Sequence, residues 1–118
     1  MWFKVDDTLH SHPKGRRAGL AAIGLWTMAG AYCMSYKTDG FIPAWFVDSW
    51  PDGHALAARL VDAGLWSPAV VTSEKGWIYH DWDDYQPSSV EIEKGREAAR
   101  DRQRRHRAKL RGEDPDAA

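Results

Sequence analysis

The 118-residue chain has a formal net charge of −1, but its charges are unevenly placed: residues 1–93 carry 7 Lys and Arg against 12 Asp and Glu, residues 94–111 carry 9 against 2, and residues 112–118 add 3 carboxylates. That length suits one domain with a modest core plus an appendage. The single Cys33 excludes an internal disulfide and fits a reducing compartment, and the start lacks the basic stretch and apolar core of a secretory signal, so a cytoplasmic protein is expected.

In chain order, Trp2 to Val5 alternates apolar with mixed residues, the pattern of a short strand, and Asp6 to Lys14 reads as a loop. His10 and His12 in that loop, with Cys33, His54 and His80, raise the question of zinc. No Cys-x-x-Cys or His-x3-5-His pair accompanies them, so surface or hydrogen-bonded histidines are expected, and no metal or other cofactor. Ala18 to Tyr36 holds no charged residue over 19 positions, long enough to weigh as a membrane span. It is rich in Ala and Gly rather than Leu and Ile. Arg16 and Arg17 would also keep its start in the cytoplasm and force the arginine-rich end of the chain across the bilayer. A central helix buried on most sides is the better reading, and no membrane contact is expected. Leu20, Ile23, Trp26, Met28 and Tyr32 would fill space, Ala21, Gly24, Ala29 and Gly30 would admit close neighbours, and Cys33 would be a small core residue.

Asp39 to Trp82 organises the rest. Gly40, Pro43 and the breaks at Ser49–Gly53 and Ser73–Gly76 divide it into a short helix (Ala44 to Ser49), a longer helix and two strands, after a strand-like pairing at Phe41-Ile42. The expected fold is therefore α+β, a helix-turn-helix followed by a β-hairpin wing. Pro51 and Asp52 suit the cap or first turn of the longer helix, where a carboxylate can accept from free N–H groups. Leu56, Ala57, Leu60, Val61 and Gly64 fall on its inner face, leaving Ala55, Ala58, Arg59 and Asp62 outward. Ala69 to Thr72 and Trp77 to Trp82 are the expected strands, joined by a four-residue loop that Gly76 closes. The seven tryptophans read as core volume before they read as stacking surfaces for bases. The acidic run Asp81, Asp83 and Asp84 reads as a solvated exit from the wing, against a rival reading as a Mg²⁺ nuclease site that no second motif supports.

Pro87 introduces Ser88-Ser89-Val90-Glu91, a capping box, so a helix is expected from there to near Leu110. On a 100° wheel Arg96, Arg100, Arg104, Arg107 and Arg111 fall within an arc of about 80°. Lys94, Arg102, Arg105 and Lys109 form a looser second band. Such a helix repels itself unless an anion lies along it, and guanidinium groups hold phosphate oxygens in bidentate fashion. The chain thus reads as a winged-helix domain (1–87), an arginine-rich helix (88–111) and an acidic terminus expected to be disordered (112–118).

Several blocks carry a family resemblance: Met1-Trp-Phe-Lys-Val-Asp-Asp, His12-Pro13-Lys14, Ala22-Ile23-Gly24-Leu25-Trp26, Asp39-Gly40-Phe41-Ile42-Pro43, Leu60-Val61-Asp62-Ala63-Gly64-Leu65-Trp66 and Gly76-Trp77-Ile78-Tyr79-His80-Asp81-Trp82. Over about residues 1–87 the chain resembles small helix-turn-helix proteins of actinobacterial phages and prophages, and the N-terminal winged-helix module of DnaD-like phage replication initiators. The resemblance implies DNA binding in a bacterial host cell, a role in phage replication or gene regulation, and no enzyme activity. Initiators of that type continue into a second domain, where this chain has its arginine helix.

The expected DNA contacts are His54, Arg59 and Lys75 from the module, and Arg96, Arg100, Arg104, Arg107 and Arg111 from the helix, with duplex DNA favoured. The longer helix offers base edges little beyond Arg59 and His54, diluted by Asp62, so weak sequence preference is expected unless the protein dimerises or Lys75 contributes. The alternative is a protein-protein interaction module of a replisome or transcription complex that does not itself bind DNA.

Overall fold

The computed structural model describes residues 1–112, and the acidic terminus expected to be disordered lies, from residue 113 on, outside the described residues. The chain divides into two units, Met1–Gln86 and a second beginning at Pro87.

The first unit is mixed α+β. A 3-10 turn at Leu9–Ser11 leads into α1 (Pro13–Ala18). Pro13 supplies a preset φ at the first helical position, and the His12 Nδ1 accepts from the Lys14 N–H at 3.1 Å. The expected loop over Asp6 to Lys14 is therefore corrected: its second half is capped helix start. Gly19, at φ 89°, breaks α1 from α2 (Leu20–Tyr36). After α2 come β1 (Phe41–Pro43), α3 (Ala44–Asp48), α4 (Gly53–Asp62), β2 (Trp66–Val71), β3 (Glu74–Tyr79) and the single turn α5 (Trp82–Tyr85).

The three strands form one antiparallel sheet in the order β1-β3-β2, with Phe41 opposite Ile78 and Trp66 opposite Tyr79. The hairpin turns on two residues, Thr72 at φ 50° and Ser73 at φ 65°, a pair of left-handed conformations that match the twist of the flanking strands. Both strands thus start three residues earlier than expected; β2 ends one residue earlier and β3 three. Gly76 does not close the loop. It sits within β3, opposite Ala69 on one side and Pro43 on the other, where a Cβ would overlap the Ile42 carbonyl oxygen.

The core lies where α2 packs on α4 and both meet the sheet. Trp66, Ile42, Leu60, Val47 and Cys33 are its largest fully buried side chains. A second layer joins Phe3, Trp26, Tyr79 and Trp82: Phe3 stacks on Trp82 at 5.9 Å, and the Tyr79 hydroxyl donates to the Trp26 carbonyl. The expected strand at Trp2 to Val5 does not form. The Lys4 backbone pairs instead with one side chain, its N–H donating to Gln86 Oε1 at 3.0 Å and its carbonyl accepting from Gln86 Nε2 at 2.7 Å. Phe3 is held in the gap that Gly30 leaves.

α2 also differs from expectation. It is buried along Ala22, Leu25, Ala29 and Cys33, while Leu20, Ala21, Gly24, Met28, Ala31 and Tyr36 face solvent. No helix among the described residues is long and apolar enough to cross a membrane. The described part of the second unit carries α6 (Ser89–Leu110), capped by the Ser88 hydroxyl, which accepts from the Glu91 N–H at 3.1 Å.

Candidate nucleic-acid interface

α4 is the second helix of the α3–α4 pair. Ala57, Leu60 and Ala63 are buried, while His54, Ala55, Ala58, Arg59 and Asp62 are exposed. Asp52 does not cap it through its side chain as expected: it turns the chain in the left-handed region at φ 57°, and Gly53 follows packed on the Val47 carbonyl, a place no Cβ could occupy.

His54 and Arg59 stand at different ends of α4 and face different neighbours. The His54 Nδ1 lies 3.4 Å from an Asp48 carboxylate oxygen, and its ring meets Trp77 edge-on at 5.6 Å. Trp77 and Lys75 alternate along β3 and share a face, so Lys75 lies on the same side of the sheet as His54, further toward the hairpin turn. Arg59 reaches the other way. Its Nη1 lies 3.8 Å from where a Cβ on Gly19 would sit, at the α1–α2 junction.

That junction holds cations that the sequence pattern did not single out. α1 packs along α4, and the Lys14 side chain lies against Gly64, just past the end of α4. Arg16 and Arg17 are also exposed on α1, Arg17 one turn from Lys14. The signal was present in Pro13, a helix-start residue placed before Lys14-Gly15-Arg16-Arg17.

In the second unit Arg96, Arg100, Arg104 and Arg107 are exposed along α6, and Arg111 is exposed at its C-cap. Acidic residues of the same helix already engage part of this row. Asp101 accepts from Arg104 at 2.8 Å and from Arg105 at 3.0 Å, and these bonds hold its carboxyl below the usual range. Glu93 and Arg96 approach to 3.5 Å. Exposed pairs of this kind are weak, so an incoming phosphate can displace them at little cost.

The histidines and the cysteine have separate occupations. His80 Nε2 is 2.7 Å from the Ser67 hydroxyl, and Cys33 is a core residue whose thiol donates to the Phe41 carbonyl at 3.4 Å. Burial pushes that thiol up to about 11, which leaves it unreactive at neutral pH. Among the described residues no three His, Cys, Asp or Glu side chains gather as a metal site. A cavity of about 150 Å³ beside the Phe3 segment is lined by aromatic rings and by Asp6, His12, Lys14 and Asp81. Comparison with protein-family models, with curated proteins and with solved structures finds no match to this chain.

Proposed function

We propose that the protein is a non-enzymatic DNA-binding protein of the winged-helix type, acting in phage or prophage replication initiation or gene regulation in the cytoplasm of a bacterial host. The order α2-β1-α3-α4-β2-β3 with sheet order β1-β3-β2 supports a helix-turn-helix followed by a wing. In that arrangement α4 is the helix that would enter a major groove, and the β2–β3 hairpin, with Lys75, the wing beside it. The observation that carries the reading is α6, a 22-residue helix with four row arginines facing solvent and the fifth, Arg111, exposed at its C-cap. The two carboxylates that pair with this helix, Asp101 and Glu93, are far fewer than its cations, so a polyanion along the row would stabilise it.

Affinity on this reading comes mainly from phosphates held by α6 and by Arg59 and its α1 neighbours, with little base readout. A protein-interaction module is the second reading, and the net acidity of residues 1–93 favours it. Fluorescence anisotropy with duplex and single-stranded DNA across a salt series, on the full chain and on a chain ending at Ser88, separates the two. Salt-sensitive binding to duplex that collapses on truncation supports the DNA reading. No binding by either chain, with both folded by circular dichroism, moves the function to a protein partner.

A further inference from the structure

The cavity beside the Phe3 segment is walled by the first unit alone, and its lining changes character from floor to mouth. The floor is aromatic. Tyr79 and Trp82 are buried there, and Phe3 and Trp26 are half-buried. These rings pack on one another, Phe3 against Trp26 at 5.1 Å and Tyr79 against Trp82 at 5.1 Å, and Leu9 and Leu65 complete the apolar wall. The mouth is polar: Lys4, Asp6, His12 and Asp81 are exposed, and Lys14 is half-buried. At about 150 Å³ the cavity is large enough for one benzene-sized ring.

Several of its polar groups are already occupied within the protein. The Tyr79 hydroxyl donates to the Trp26 carbonyl, the Gln86 amide is taken by the Lys4 backbone, and Asp6 accepts from the Thr8 N–H at 2.8 Å and hydroxyl at 2.7 Å. Lys14 and Asp81 differ. Among the described residues neither the Lys14 ammonium nor the Asp81 carboxylate makes a hydrogen bond or an ion pair. Both border the Gly64-Leu65 stretch: the Lys14 side chain lies against Gly64, and Asp81 follows His80, whose N–H donates to the Leu65 carbonyl at 3.2 Å. An ammonium and a carboxylate thus share one stretch of wall without pairing with each other. Beside them, His12 Nδ1 accepts from the Lys14 N–H, which leaves Nε2 to carry the neutral ring's proton and to donate.

We propose that this cavity binds a small zwitterion carrying one aromatic ring, the chemistry of L-phenylalanine: the ring enters among Phe3, Trp26 and Trp82, the carboxylate meets Lys14 and His12, and the ammonium meets Asp81. Apolar walls with a few convergent polar groups are the usual make-up of a small-molecule site. Charge balance at the mouth selects the class. With Lys4 and Lys14 set against Asp6 and Asp81, a net anion or a net cation meets as much repulsion as attraction, whereas a ligand bearing both signs satisfies both. Lys14 also borders the α1–α4 junction, but this site stands independently of DNA binding.

Isothermal titration calorimetry of the full chain, without DNA, tests the site with L-phenylalanine, phenylacetate and phenethylamine. Phenylalanine is expected to bind, and each fragment, lacking one charged group, to bind about tenfold or more weakly, the effect of one lost charge-assisted hydrogen bond. Two variants should split the ligands in a way that loss of folding cannot imitate. Lys14→Met keeps the apolar stem against Gly64 and should weaken phenylalanine and phenylacetate about tenfold while leaving phenethylamine unchanged. Asp81→Asn, at an exposed position, should weaken phenylalanine and phenethylamine to the same degree and leave phenylacetate unchanged. No heat with phenylalanine at millimolar concentration overturns the proposal. So does equal affinity for the three ligands, or a variant that weakens all three alike.

Discussion

Gly76 of β3 and Ile42 of β1 approach so closely that a Cβ on the glycine would overlap the Ile42 carbonyl oxygen. The contact lies between backbones, so no rotamer change relieves it. Gly76→Ala should therefore part β1 from β3 and destabilise the first unit by about 1–3 kcal/mol, the usual cost of overpacking. Urea unfolding followed by tryptophan fluorescence reads this directly. An unchanged midpoint would show that β1 is not held against β3 as described.

Alkaline pH should weaken the fold from inside the core. Burial raises the Cys33 thiol from an ordinary 9.0 to about 11, and raises the Tyr79 phenol well above 10.0. Each group holds its proton more tightly folded than unfolded, so its stabilisation is fully present below the unfolded pKa and is lost as pH rises through the folded one. For Cys33 that window runs from about pH 9 to about pH 11 and is on the order of 3 kcal/mol. Cys33→Ala should lower stability at neutral pH through its small cavity yet flatten the decline above pH 9. Denaturation midpoints measured across that range would show the two curves converging. Parallel curves would mean that the thiol does not titrate in this window.

These two cases mark where local pattern stops being informative. The Ser88 cap and the inner face of α4 follow from spacing within one helix, and both are readable before any tertiary contact forms. Gly76 is not readable in that way. A glycine four residues after a strand looks like turn chemistry, but this one is required by the carbonyl of a residue 34 positions earlier. Trp2 to Val5 has a strand's alternation, yet its backbone partner is the Gln86 amide, which no strand pattern encodes. The absence of charge in α2 specifies an apolar helix without stating how much of its circumference the first unit covers. Lys14 gained meaning only when packing brought α1 along α4 and set its side chain against Gly64.

Within α6, two substitutions should move helix stability in opposite directions. Ser88→Ala removes the hydroxyl that accepts from the Glu91 N–H and should cost about 1 kcal/mol. Gly95→Ala adds a methyl group where nothing lies within 4 Å and should contribute roughly 0.5–1 kcal/mol by restricting the unfolded chain. Amide hydrogen exchange along α6 in the full chain reports both. Equal protection in the two variants would mean that the helix is set by something other than its own caps and propensities.

The arginine row gives the most exposed prediction, because counterion release turns contact number into a slope. Five phosphate contacts on duplex DNA imply that log K falls against log salt with a slope near −4.5, from about −0.9 per contact. Arg100→Glu, Arg104→Glu and Arg107→Glu together should remove most of that slope. Asp101→Asn should do the reverse. Its carboxylate now accepts from both Arg104 and Arg105, so a phosphate approaching either guanidinium must compete with it. Removing that charge should raise duplex affinity at low salt while leaving the helix formed, since exposed pairs of this kind contribute little to stability. The pair of variants also separates the two functional readings: an acidic protein partner would respond to the same charges, but without the linear dependence that condensed counterions impose. An unaltered slope in the triple variant would remove α6 from the interface and leave Arg59, Lys14 and the wing to account for any binding that remains.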